Sequence, residues 1–83
     1  MKLDHRIKEL IAVGASVSAN CQPCLQYHTS EARKSGADDQ DIMEAIDVGK
    51  MVRRGAAAKM DKFVASLTPA AAPANDSASE GCG

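Results

Sequence analysis

The stretch Asn20-Cys21-Gln22-Pro23-Cys24-Leu25-Gln26-Tyr27-His28 is where one helical pattern stops and another starts, and it decides the fold. Asn20 suits a turn or cap. Pro23 fits the first turn of a helix, where its missing N–H costs nothing. Upstream, Ile7, Leu10, Ile11, Gly14 and Val17 follow the spacing of one helical face, and Asp4 can cap a first helix that runs to about Ala19. Downstream, a second helix begins around Cys21–Pro23 and runs through Glu31, Ala32 and Arg33 to Ser35. Gly36 then fits the left-handed position that ends helices. Asp38 or Asp39 caps a third helix with the apolar stripe Ile42, Ala45, Ile46, Gly49 and Val52. A break or bend is expected between Gly49 and Gly55. A last helical stretch would carry Ala56, Met60, Phe63, Val64 and Leu67 on one face. No segment alternates strand formers with a period of two, and no repeat is visible. The pattern predicts an all-α fold: a small helical bundle whose helix hairpin carries the cysteine pair at the start of its second helix.

The chain has 83 residues, one small domain at most. Its aromatic content is 2%, from Tyr27 and Phe63, so the core must be built from Ala, Val, Ile, Leu and Met. A core of that size and composition buries little area, and subunit contacts are expected to complete it. Residues 1 to 67 mix apolar and charged positions. From residue 68 to 83 the chain reads Thr-Pro-Ala-Ala-Ala-Pro-Ala-Asn-Asp-Ser-Ala-Ser-Glu-Gly-Cys-Gly, with no Leu, Ile, Val or Phe. Such a segment cannot offset its ordering entropy by burial, and it is expected to be a disordered tail carrying Cys82.

The formal net charge is −1 with acids and bases interspersed, which argues against nucleic acid or a membrane surface as a partner. The basic cluster Lys50, Arg53 and Arg54 reads as a solvated helix face. The opening Met-Lys-Leu-Asp-His-Arg places charges where a signal peptide needs apolar residues. The run from Leu10 to Ala19 is too short and polar to span a bilayer. The expected location is the cytoplasm, where two close cysteines point to catalysis or metal binding rather than a structural staple.

Cys21-x-x-Cys24-x-x-x-His28 is the constellation with chemistry. At a helix start, backbone N–H groups and the helix dipole stabilise a thiolate, the species that attacks. Cysteines three apart can close a reversible disulfide. His28 lies one turn beyond Cys24 on the same face and can accept or relay its proton. Glu9, on the first helix, can point back at the thiols across the hairpin. Against this stand plainer readings. A cysteine can be a small hydrophobe, and Glu9 and His28 can be ordinary surface side chains. Zinc is an alternative, because Cys21, Cys24 and His28 could supply three ligands, with only His5 or Cys82 left for a fourth. A c-type haem would need its histidine directly after the second cysteine.

Glu9, Cys21, Cys24 and His28 together read E-x11-C-x-x-C-x-x-x-H, flanked by Lys8-Glu9-Leu10-Ile11-Ala12-Val13, Ser35-Gly36-Ala37 and Asp41-Ile42-Met43-Glu44-Ala45-Ile46. Over about residues 3 to 66 this resembles the carboxymuconolactone decarboxylase-like superfamily, in its alkyl hydroperoxidase D-like branch. The resemblance implies a thiol-dependent antioxidant oxidoreductase that acts on a small hydroperoxide or disulfide. It implies resetting by an external dithiol and assembly as a homo-oligomer, a trimer or hexamer. Carried over, Cys24 is the attacking thiol, Cys21 its resolving partner, and His28 and Glu9 the proton relay. No cofactor and no resident metal are implied. The best-studied members have a histidine just before the second cysteine, where this chain has Pro23. The lactone-decarboxylating branch lacks the cysteine pair, so decarboxylation is not expected. The alternative function is a zinc-binding or structural oligomeric module without catalysis.

Overall fold

Asp4 sets the first helix. Its carboxylate oxygen Oδ1 accepts the Ile7 N–H at 2.8 Å, filling one of the donors a helix start leaves open. The computed structural model describes residues 1–67, with the helices α1 (His5–Ser18), α2 (Gln22–Lys34) and α3 (Asp39–Leu67). There is no strand among the described residues. The all-α expectation holds. The expected tail, 68–83, and Cys82 lie outside the described residues.

Two residues with positive φ make the turns. Asn20 has φ 57° and Gly36 φ 101°, the left-handed conformation at the helix ends. After α1, the Asn20 N–H donates to Val17 O and the Cys21 N–H to Ser16 O. After α2, the Gly36 N–H donates to Arg33 O and the Ala37 N–H to Ala32 O. Both pairs are the double hydrogen bond that closes a helix against a left-handed residue. Asp38 rather than Asp39 caps α3. The Asp41 N–H donates to its Oδ1, and the Asp38 N–H donates back to Asp41 Oδ2.

α1 is the central element, packing on both α2 and α3, which touch each other little. The core is small: Val13, Ala32, Ala37 and Ile42 are buried, with Leu10, Leu25, Ala45 and Ile46 packed against them. Val13, absent from the stripe read off the sequence, is the most enclosed large side chain, at 0% exposure. It shares the helical spacing of Leu10 and Val17, one position beside the stripe. Ile11 and Val52, expected inward, are exposed.

The expected break between Gly49 and Gly55 is absent, and α3 runs unbroken for 29 residues. The two glycines do different things. A Cβ on Gly49 would collide with the Gly14 carbonyl oxygen and come within 2.8 Å of Val17 Cβ. Gly49 is therefore the point of closest approach between α1 and α3, where backbone meets backbone. Gly55 has nothing within 4 Å and is an ordinary, weak helix position. The Ala, Lys and Met residues around both are strong helix formers that carry the helix through. The last stretch is helical as expected, and Met60, Phe63 and Leu67 on it are exposed.

Candidate thiol site at the start of the second helix

Cys21 belongs to two elements. Its N–H closes the end of α1, and its side chain caps α2, where the Cys24 N–H donates to Cys21 Sγ at 3.3 Å. The turn made by Asn20 thus fixes where the first cysteine sits. Cys24 stands in the first turn of α2, after Pro23. The two are joined by a disulfide, with Cα atoms 5.3 Å apart. Cys24 is exposed and Cys21 half-buried. The free N–H groups of the α2 N-terminus surround the pair, a setting that favours negative charge on either sulfur once the bond opens.

His28 follows one turn later. Its Nδ1 lies 2.6 Å from Glu9 Oε1, across the hairpin from α1. An ionised carboxylate can only accept, so Nδ1 carries the hydrogen and donates it, leaving Nε2 with its lone pair on the other edge of the ring. The Glu9 side chain is only 14% exposed, which strengthens this contact. Glu9 Oε2 also lies 3.9 Å from His5 Nε2, on a side chain that is 66% exposed. Tyr27 meets the His28 ring edge-on, with centroids 5.0 Å apart.

The hairpin therefore pairs Glu9 with His28, and α2 itself holds Cys21 next to Cys24. Sequence reading named His5 only as a spare metal ligand and did not set it beside Glu9, although its place one turn before Glu9 was the available signal. It also left out the basic residues beside Cys21. Arg53, read as part of a solvated face, is half-buried and its Nη1 donates to Asn20 Oδ1 at 3.0 Å and to Val17 O. Lys50 and Arg54 are exposed, as expected. No group of three His, Cys, Asp or Glu side chains among the described residues is placed to hold a metal ion. No helix among the described residues is long and apolar enough to cross a membrane.

The family model for carboxymuconolactone decarboxylases matches residues 1–73. The chain belongs to the carboxymuconolactone decarboxylase family. A relative described as uncharacterized protein 4 in cox locus, from Paracoccus denitrificans, is 44% identical over 66 residues, covering 78% of this chain and 60% of its own length. An uncharacterized protein of Cupriavidus necator is 35% identical over 46 residues, covering 55% of this chain and 41% of its own. This family member thus spans less than two thirds of the curated relatives it matches. No solved structure gives a significant match.

Proposed function

We propose that this family member is a thiol-dependent antioxidant oxidoreductase, of the alkyl hydroperoxidase D-like kind, that reduces small hydroperoxides through Cys24. The reading rests on one observation: a partly exposed Cys21–Cys24 disulfide at a helix N-terminus, with a carboxylate-bound histidine one turn away. In the reduced state His28 Nε2 takes the Cys24 proton. The thiolate attacks the outer oxygen of the hydroperoxide, the O–O bond breaks, and the alkoxide collects a proton from His28 to leave as an alcohol. Cys24 is left as a sulfenic acid. Cys21 Sγ attacks that sulfur, hydroxide leaves as water, and the disulfide forms. An external dithiol returns two electrons. A cytoplasmic setting suits such a cycle, because thiols there are kept reducible.

The same exposed disulfide favours one second reading, a reductase of small disulfides, in which Cys24 attacks sulfur instead of oxygen. Assays of the reduced protein with an alkyl hydroperoxide and with a small disulfide, each with a dithiol reductant, separate the two. Replacement of Cys24 by Ser is expected to abolish turnover in whichever assay is active. Full turnover in Cys24→Ser would overturn the proposal. The homo-oligomer, trimer or hexamer, is part of this reading too. It is supported by the small core and by the apolar residues Met60, Phe63 and Leu67 left exposed on α3.

A further inference from the structure

The sequence places the basic residues of α3 four positions past Ile46 and one turn beyond that, and the fold brings them to the cysteine turn. Between the end of α1, the start of α2 and the middle of α3 lies an open groove of about 270 Å³. Val17, Leu25 and Ile46 give it an apolar lining. Cys21, Lys50 and Arg53 line it as well. No carboxylate lines it.

The charge there is uncompensated. Arg6, Arg33 and Lys34 each sit within salt-bridge distance of an acid, Asp41, Asp39 and Glu31 respectively. Arg53 spends its guanidinium on the neutral oxygens of Asn20 and Val17, and Lys50 has no ion pair among the described residues. The Asn20 contact also holds Arg53 in place, so one cation of the pair is fixed relative to the turn that carries Cys21. A groove lined by a cysteine, apolar side chains and two cations suits a small molecule that carries a thiol, a few methylenes and a carboxylate. A volume of this order suits a small ligand, not a chain.

We propose that this groove is the docking site of the reductant, and that the reductant is a carboxylate-bearing thiol whose anionic end is held by Lys50 and Arg53. The inference rests on the thiol-redox reading of the Cys21–Cys24 pair, and it assigns the two faces of that pair to different reactants. The bound thiolate attacks Cys21 Sγ, because Cys21 lines the groove and Cys24 does not. The Cys21–Cys24 bond breaks, Cys24 leaves as a thiolate stabilised by the α2 N-terminus, and a mixed disulfide remains on Cys21. A second thiolate attacks the outer sulfur of that mixed disulfide, releasing the thiol's own disulfide and the Cys21 thiolate. Two molecules of the thiol, in place of one dithiol, supply the two electrons. The order has a benefit: the first step already frees Cys24, the group that meets the oxidant.

The test uses the oxidised full chain. Loss of the Cys21–Cys24 disulfide is timed by acid quench, alkylation and peptide mass, with mercaptopropionate, mercaptoethanol and cysteamine at equal thiolate concentration. The natural chain is expected to favour mercaptopropionate over mercaptoethanol, relative to their rates with a small unstructured disulfide. Lys50→Gln is expected to lower that preference about threefold, and Lys50→Glu to turn it toward cysteamine, as screened single charges do. Arg53→Gln is expected to act in the same direction. The trapped mixed disulfide is expected on Cys21, with Cys24 alkylated. An anion preference equal in all four proteins, or an adduct on Cys24, overturns the inference. Peroxide turnover driven by a neutral dithiol is measured alongside. If it is absent while the anion preference holds, the oxidant was misassigned and the groove was not.

Discussion

The Glu9–His28 contact carries the clearest consequence of a single side chain. Glu9 can only accept, so it fixes which nitrogen of His28 holds the hydrogen and which is free to work. A glutamine there can both accept and donate, and the choice of tautomer is lost. Glu9→Gln is expected to lower peroxide turnover about tenfold to a hundredfold, the usual cost of losing a partner that orients a functional histidine. His28→Gln is expected to cost at least as much. The double variant should match His28→Gln alone, because the two residues act as one unit. Steady-state rates of the three variants check this, with circular dichroism to confirm the fold. Independent, multiplying losses would mean that Glu9 acts elsewhere. Of this site, the four residue types and their spacing were legible in the sequence, because i to i+3 and i to i+4 relations on a helix follow from its geometry alone. The Glu9 contact rested on the hairpin, which Asn20 and Pro23 announce. The approach of Arg53 to Asn20 was not legible. It depends on how closely α3 lies on α1, and nothing local to Arg53 encodes that.

The closeness of those two helices is set by glycine, and it separates two residues that look alike in the sequence. Gly49→Ala pushes a methyl into the Gly14 carbonyl and the Val17 side chain. Because the obstacle is backbone, α1 and α3 must move apart, at a cost of about 2 kcal/mol. Gly55→Ala meets nothing, and the better helix propensity is expected to stabilise by up to about 1 kcal/mol. Urea unfolding followed by circular dichroism measures both. Equal effects from the two variants would contradict the close packing at Gly49. A sequence reading takes both glycines as weak points of a helix and expects a break. The distinction lies in what faces each one, which is tertiary. Helix starts and stops were the reverse case. Asp4, Asn20, Gly36 and Asp38 act through their own backbone and near neighbours, and each does in the structure what its residue type implies.

At the scale of the molecule, α3 is longer than anything available to cover it. Its 29 residues span about 44 Å, whereas the 14 of α1 span about half that. The described residues accordingly extend 50 Å in one direction and 27 and 20 Å in the others. Met60, Phe63 and Leu67 share a face of the projecting part and are exposed. The apolar spacing on this face was plain in the sequence. That these side chains stay exposed was not, because a stripe reports that a face is apolar and not what covers it. A second copy of the chain is the expected cover, in line with the proposed trimer or hexamer. Phe63→Lys is expected to shift the sedimentation of the protein toward the monomer while leaving helix content nearly unchanged. An unaltered assembly in this variant would place the subunit contact elsewhere.

The edge-on contact between Tyr27 and His28 gives the protein an optical property. The chain has one tyrosine and no tryptophan, so its near-ultraviolet emission comes from the ring that leans on His28, one turn from the disulfide. A charged imidazole and a disulfide both drain excited phenol. Emission from the unlabelled protein should therefore brighten as the cysteine bond is reduced and dim as His28 gains a proton. The proposed redox cycle can then be followed in real time by light alone, with no dye attached and no residue replaced.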